Sequence, residues 1–347
     1  MRLSVLLLSL LLFQPSITTA SEIVINAVGD VMLGGNAGSK LLRQRGYDYP
    51  FAATAMLLRS ADITMGNLEA PITSGGTEFR NKRFRFRCNP KTATALRNAG
   101  FSLVTLANNH ILDYGIAGLE HTLSHLSRAA ISFTGAGADL SSARQPALIS
   151  VKGKTIAFLA YSLTLPAEFF ATPFRGGTAP GFPGYIKKDI ARARSKSDHV
   201  VVSFHWGDEL AALPKPTQAA AARAAIDAGA VLVLGHHPHV LQGIEHYKNG
   251  VILYSLGNFA FASSSVRSDR SVIARITLDE GVEEVELLPL NVLNSEVKLQ
   301  PAALSGRRGK RVIDHIAKIS AGMGTVIVSD GGRWLALPEL RTARVIR

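Results

Sequence analysis

Short apolar runs, most of them rich in β-branched residues, recur along the chain at Glu22–Val28, Ile63–Met65, Leu103–Ala107, Thr155–Tyr161, His199–Phe204, Val231–Leu234 and Val251–Tyr254. Their length and their Gly, Asn and Asp borders predict buried strands rather than helices. Between them lie helical stretches at Pro90–Asn98, at Gly115–Ala129 and from Thr217 to Asp227, the last closed by Gly229. Strand and helix therefore alternate to about residue 257, the pattern of an α/β fold. Period-two alternation then takes over at Val272–Leu278 and Val282–Leu288, predicting an antiparallel part of the sheet system. A final helix over Val312–Ile319 and a strand over Thr325–Val328 complete the pattern. The expected organisation is one main domain over residues 21–290, with 291–347 as an extension that completes it. The segment Pro166–Tyr185, rich in Pro, Gly and Phe, has neither period and reads as a flap over a site or as a surface insertion.

Composition narrows the class. Hydrophobic residues are 47% and charged residues 18% of 347, which permits a large core and excludes wholesale disorder. The single cysteine, Cys88, excludes an internal disulfide and reads as an inert buried thiol. The apolar run Leu3–Phe13 is too short to span a bilayer, follows Arg2, and leads to Thr18, Thr19 and Ala20. Residues 1–20 therefore read as an export signal, with a retained anchor as the alternative, and the expected location is the periplasm or cell envelope. A net charge of +12 favours anionic partners. Nucleic acid is not expected, because export argues against it and no nucleic-acid-binding signature is present.

The candidate chemistry lies where the strands end. Asp30 follows the first run and Asn67 with Glu69 the second; Asn108, Asn109, His110 and Asp113 follow the third. His205, Trp206 and Glu209 come after the fifth, His236, His237 and His239 after the sixth, and Ser255, Gly257 and Asn258 after the seventh. In open α/β sheets, ligands bind beyond the carboxyl ends of the strands, so these side chains converge on one crevice. Turn formation alone has no need of so many imidazoles. Carboxylates, amides and imidazoles without a thiolate suit a divalent Mn, Fe, Zn or Mg ion, which lowers the pKa of a water and supports hydrolysis. A serine nucleophile is disfavoured, since the run Tyr254–Gly257 lacks a nucleophile elbow, and no Walker loop is present. Strand alternation predicts His236 on the face opposite His237. Glu209, four residues after His205, reads as a base or orienting carboxylate, or as a plain surface residue; Trp206 reads as a wall of the site or a packing residue.

The strings AVGDVMLGG, GNLEAPIT, LANNHILDYGIAGLEHTL, FHWGDEL, DAGAVLVLGHHPHVLQGIE and YSLGNFAF, in this order, closely resemble the CapA (PgsA-like) family of capsule and poly-γ-glutamate synthesis proteins. That family resembles the calcineurin-like metallophosphoesterases, which implies a four-layer α/β/β/α sandwich like that of the metallo-dependent phosphatases. The resemblance implies metal ligands at Asp30, at Glu69 or Asn67 in the place of the bridging acid, and at Asn109, His205, His237 and His239, with an acid catalyst at His110. Asn67, Trp206 and Asn258 are the expected substrate contacts around them. Three departures from the phosphoesterase pattern favour one metal or an altered pair: Met32 where a His is usual, Asn67-Leu68-Glu69 in place of a bridging Asp, and a longer His-His-Pro-His ending. The implied partners are an acidic polymer such as poly-γ-glutamate and the membrane capsule-synthesis machinery.

In Phe79–Cys88, a strand period would place Arg83, Arg85 and Arg87 on one face, where they could grip successive carboxylates. The same pattern fits an edge strand guarded by charge. Arg307, Arg308, Lys310 and Arg311 read as an exposed linker. Two classes of function follow: a metal-dependent hydrolase acting on an amide or phosphoester of the envelope, or a non-catalytic polyanion-binding or export component.

Overall fold

The computed structural model describes residues 22–339. The expected export segment, residues 1–20, lies outside them. Among the described residues, no helix is long and apolar enough to cross a membrane.

The apolar runs become strands that collect into two large sheets. The first holds β1 (Ile23–Met32), β2 (Ile63–Leu68) and β3 (Leu103–Thr105), paired in parallel, with the antiparallel strands Arg270–Leu278 and Val282–Asn291 on the other side of β1. The second sheet runs in parallel through Lys154–Ser162, His199–His205, Leu232–His236 and Gly250–Leu253, with antiparallel strands at both edges. Three buried clusters define the layers. Ile25, Ala27 and Met65 of the first sheet meet Phe158, Val201 and Leu234 of the second, so the sheets pack face to face. Val31, Leu68 and Val104 face helices that include α1 (Gly35–Arg45), Lys91–Ala99 and Gly115–Arg128. Leu159, Val202 and Val233 face the helices Pro183–Arg194 and Pro216–Ala228. The result is the four-layer α/β/β/α sandwich expected from the family resemblance.

Residues beyond 290 join the same body. The helix Gly306–Ile319 sends Val312, Ile313 and Ile316 into the core between the sheets, and the strands Thr325–Asp330 and Arg333–Pro338 extend the first sheet. This helix also takes in Arg307, Arg308, Lys310 and Arg311, which were expected in a linker; its apolar stripe, spaced by three and four residues, makes the basic residues its outer face.

Two further expectations are corrected. Phe79–Cys88 is irregular rather than a strand, so Arg83, Arg85 and Arg87 form no single row. The Arg83 guanidinium covers the Phe84 ring, Arg85 turns to Glu78, and Arg87 covers Tyr114. Pro166–Tyr185 is not a free flap, because Phe169, Ala171, Thr178 and Ala179 are buried and Gly177–Thr178 pairs with Ala136–Gly137.

Candidate metal centre

Strand register brings the polar ends to one level. Asp30 lies opposite Asn67 on one side and Asn258 on the other, while His205 lies opposite His236 in the second sheet. Beyond His236 the chain leaves strand geometry at once. His237 and His239 have φ of 94° and 57°, left-handed values that non-glycine residues seldom adopt and that cost about 1–3 kcal/mol each. His236 Nδ1 lies on Asp30, the His237 ring lies near Glu69, and His239 reaches both carboxylates, which overturns the expectation that His236 faces away.

Asp30 is fully buried and is the hub. Its Oδ1 accepts from Asn67 Nδ2 at 2.9 Å and lies 3.1 Å from His236 Nδ1; Oδ2 accepts the His237 backbone N–H at 3.2 Å and lies 3.2 Å from His239 Nδ1. Burial alone would raise the Asp30 pKa, but the hydrogen bonds and charges of His236 and His239 hold it well below the usual carboxylate range. Glu69 is also fully buried and is raised well above its ordinary value, first by burial and then by Asp30.

The ligand set closes around Glu69. Its Oε1 lies 3.4 Å from His205 Nε2 and 3.9 Å from His239 Nε2, yet has no hydrogen bond. His237 Nδ1 and His236 Nε2 are likewise buried without a hydrogen-bond partner. Asn109 Oδ1 is 3.0 Å from His205 Nε2. Burial and then His239 depress the His237 pKa to about 3, and burial and then His237 hold His205 well below its usual value. His239 is the exception: burial opposes its charge, but Glu69 and Asp30 raise it to about 9. Ligand atoms of Glu69, His205 and His237 come within 4.8 Å of one another, as do those of Asp30, Glu69 and His239 and those of Glu209, His237 and His239. A buried carboxylate oxygen and an imidazole nitrogen without partners, Glu69 Oε1 and His237 Nδ1, are costly in a dry interior, and a divalent cation with O and N ligands would satisfy both. The residues fit the ion.

Beside this cluster stands a second constellation. His110 Nδ1 is 2.6 Å from Asp113 Oδ2 and 2.7 Å from Lys82 Nζ, which also donates to Asp113 Oδ1 at 2.8 Å and to the Asn109 carbonyl. Burial lowers the pKa of both His110 and Lys82 against the opposing pull of Asp113. Lys82 was not singled out in the sequence, because nothing in Phe79–Cys88 distinguishes it from the arginines around it.

Three expected substrate contacts take other roles. Asn67 is buried inside the ligand shell, where it accepts from Asn108 Nδ2 at 3.0 Å. Asn258 Oδ1 holds His239 Nδ1 at 2.9 Å. Trp206 is core: it stacks on Phe204 with ring centroids 4.7 Å apart and donates its indole N–H to the Tyr254 carbonyl. Glu209 is exposed at the rim, and Cys88 is buried with its thiol pushed up to about 12 by burial.

Two sheets packed face to face between helices, with carboxylates, amides and imidazoles gathered at the strand ends, make this a four-layer α/β/β/α sandwich with a polar site along one edge. The chain itself is a member of the family described as "Bacterial capsule synthesis protein PGA_cap", whose pattern matches residues 24–263. It is 33% identical over 311 residues to the PGA biosynthesis protein CapA of Bacillus subtilis, covering 88% of this chain and 81% of that one. It is 32% identical over 295 residues to the capsule biosynthesis protein CapA of Bacillus anthracis, covering 83% and 72%. Among solved structures, the NAD nucleotidase of Haemophilus influenzae aligns with a TM-score of 0.49 at 14% identity, covering 85% of this chain and 55% of that one.

Proposed function

We propose that this protein is an exported, metal-dependent hydrolase of capsule or poly-γ-glutamate biosynthesis, working at the periplasmic or envelope side beside the membrane synthesis machinery. The names of the two Bacillus relatives support the process. The observation that carries the chemistry is Glu69 Oε1, buried and without a hydrogen bond among His205, His237 and His239. Glu69, Asp30, His205, His237, His239 and Asn109 would hold the ion, with Glu209 available at the rim. A divalent cation there supplies Lewis-acid polarisation of a carbonyl or phosphoryl oxygen.

The protein's own groups supply the rest. Asp113 accepts the hydrogen bond of His110 Nδ1–H and fixes that tautomer, which leaves Nε2 free to accept a proton from an attacking water and return it to the leaving group. Burial keeps the ring neutral at rest, the state a base requires. Lys82 fixes Asp113 and places a positive charge beside the dyad. The substrate this reading favours is a γ-glutamyl amide in an acidic polymer, consistent with the +12 charge of the chain.

The test is turnover of γ-glutamyl oligomers and of chromogenic phosphoesters by the metal-loaded protein, beside His110→Ala. The expected result is chelator-sensitive cleavage of the oligomer, reduced about 10²- to 10⁴-fold in His110→Ala with metal content unchanged. Tight metal binding without turnover on either substrate class would overturn the hydrolase reading in favour of a binding component.

A further inference from the structure

A separate cleft of 490 Å³ opens between α1 and the irregular loop that carries Lys82, a size typical of small-ligand sites. One face of α1 lines it with Gly35, Asn36, Ser39 and Arg43, and the loop faces it with Arg85 and Arg87. Loop and helix meet closely: a Cβ on Gly34 would lie 2.6 Å from the Arg87 carbonyl oxygen. The cleft is polar and strongly unbalanced in charge. Three guanidinium groups line it against one carboxylate, Glu78, which is already engaged by the Tyr114 hydroxyl at 2.9 Å and by Arg85 Nε at 3.4 Å. Among the described residues, neither Arg43 nor Arg87 forms an ion pair. Arg87 is held in place by the Tyr114 ring, 4.7 Å from its guanidinium carbon, which leaves its N–H groups free. α1 begins without a side-chain cap and has no acidic residue in its first turn, so its first N–H groups add to the positive field at this end of the cleft.

We propose that this cleft is a subsite for the carboxylate groups of an acidic polymer, gripped by Arg43 and Arg87, with Arg85, Asn36 and Ser39 as further donors. Guanidinium forks match carboxylates bidentately, and uncompensated ones in a concave polar site favour an anionic ligand. The loop ties this cleft to the chemistry. Phe86, between the two arginines, donates its backbone N–H to Asp113 Oδ2 at 2.8 Å and packs its ring 4.8 Å from that of His110. A chain anchored in the cleft therefore lies beside the groups proposed to move protons. The inference rests on the reading of the substrate as an acidic polymer and deepens it: the grip comes from a helix and a loop, not from a strand of arginines, and Arg83 takes no part.

The test uses the full chain and binding rather than turnover. Affinity for a fluorescent γ-glutamyl oligomer, for its analogue with the pendant α-carboxylates amidated and for inorganic polyphosphate is measured on wild type and on Arg43→Gln/Arg87→Gln. Both arginines are exposed, so the double variant is expected to fold, and its metal content reports that the catalytic cluster is intact. The expected result is that wild type binds the carboxylate oligomer in preference to both other probes. The double variant should lose about ten-fold or more of that affinity with metal content unchanged. Equal affinity in variant and wild type, absence of oligomer binding, or binding of polyphosphate alone would overturn the subsite. Arginine-dependent binding by a protein that cleaves nothing would support the subsite while contradicting the hydrolase reading, so the two fail separately.

Discussion

Asn258 shows how the site is held at the level of single residues. It is buried, opens the strand Asn258–Phe261, and fixes His239 Nδ1 at 2.9 Å, leaving Nε2 turned toward Glu69. Partners that orient a ligand imidazole in this way set metal affinity, so Asn258→Ala is expected to weaken metal binding about 10- to 100-fold in a calorimetric titration. The protonation of the cluster makes a second expectation. With His239 raised to about 9, first by the Glu69 carboxylate and then by Asp30, this ring holds a proton in the metal-free protein near neutral pH. Ion binding requires it deprotonated, so uptake at pH 7.5 should release about one proton, read from titrations in buffers of different ionisation enthalpy. Metal binding with no proton release would contradict this assignment. Asp113→Asn removes the carboxylate charge and replaces one of its two acceptor oxygens with a donor, which disturbs the Nδ1–H tautomer of His110, and is expected to lower turnover of the γ-glutamyl oligomer by at least about ten-fold while leaving metal content unchanged.

Strand ends decide which of these residues can be found from sequence. Asp30, Glu69, Asn109, His205, His237 and His239 were legible because each follows an apolar run, and parallel register brings such ends together. His236 was misassigned because alternation was carried one residue past the point where the backbone turns left-handed at His237. Lys82 was illegible, and Arg85 and Arg87 were named as carboxylate contacts but in the wrong arrangement, for a different reason: Phe79–Cys88 alternates like a strand, but its backbone is tied instead to Asp113 and Pro71. The short strands Ala136–Gly137 and Gly177–Thr178 carry no period long enough to detect, which is why the segment Pro166–Tyr185 resembled a free flap. The Leu232–His236 strand also supports a stability prediction. Gly235 passes so close to its neighbours that a Cβ would lie 1.9 Å from the Tyr254 carbonyl oxygen and 2.7 Å from Trp206 Nε1. Gly235→Ala must therefore move backbone next to His236 and His237, and a loss of about 1–3 kcal/mol or more is expected in urea unfolding. An unchanged midpoint would contradict this packing.

For the molecule as a whole, the face-to-face packing of the two sheets sets the separation of Asp30 and Glu69 from the histidines of the other sheet. The C-terminal helix is part of that packing, since Ile316 is buried in the core between the sheets. Ile316→Ala is expected to cost about 2–5 kcal/mol, measured as a shift in the denaturation midpoint of the full chain. The central claim is that the two sheets together clasp a divalent cation through Glu69 and its histidines. The direct measurement is the metal content of the purified full chain after loading and gel filtration, determined by plasma mass spectrometry beside Glu69→Gln with folding checked by circular dichroism. About one or two ions per wild-type chain, with most of that occupancy lost in a folded Glu69→Gln, is the predicted result. A wild-type chain that retains no stoichiometric cation, or a variant that retains as much as wild type, would contradict it.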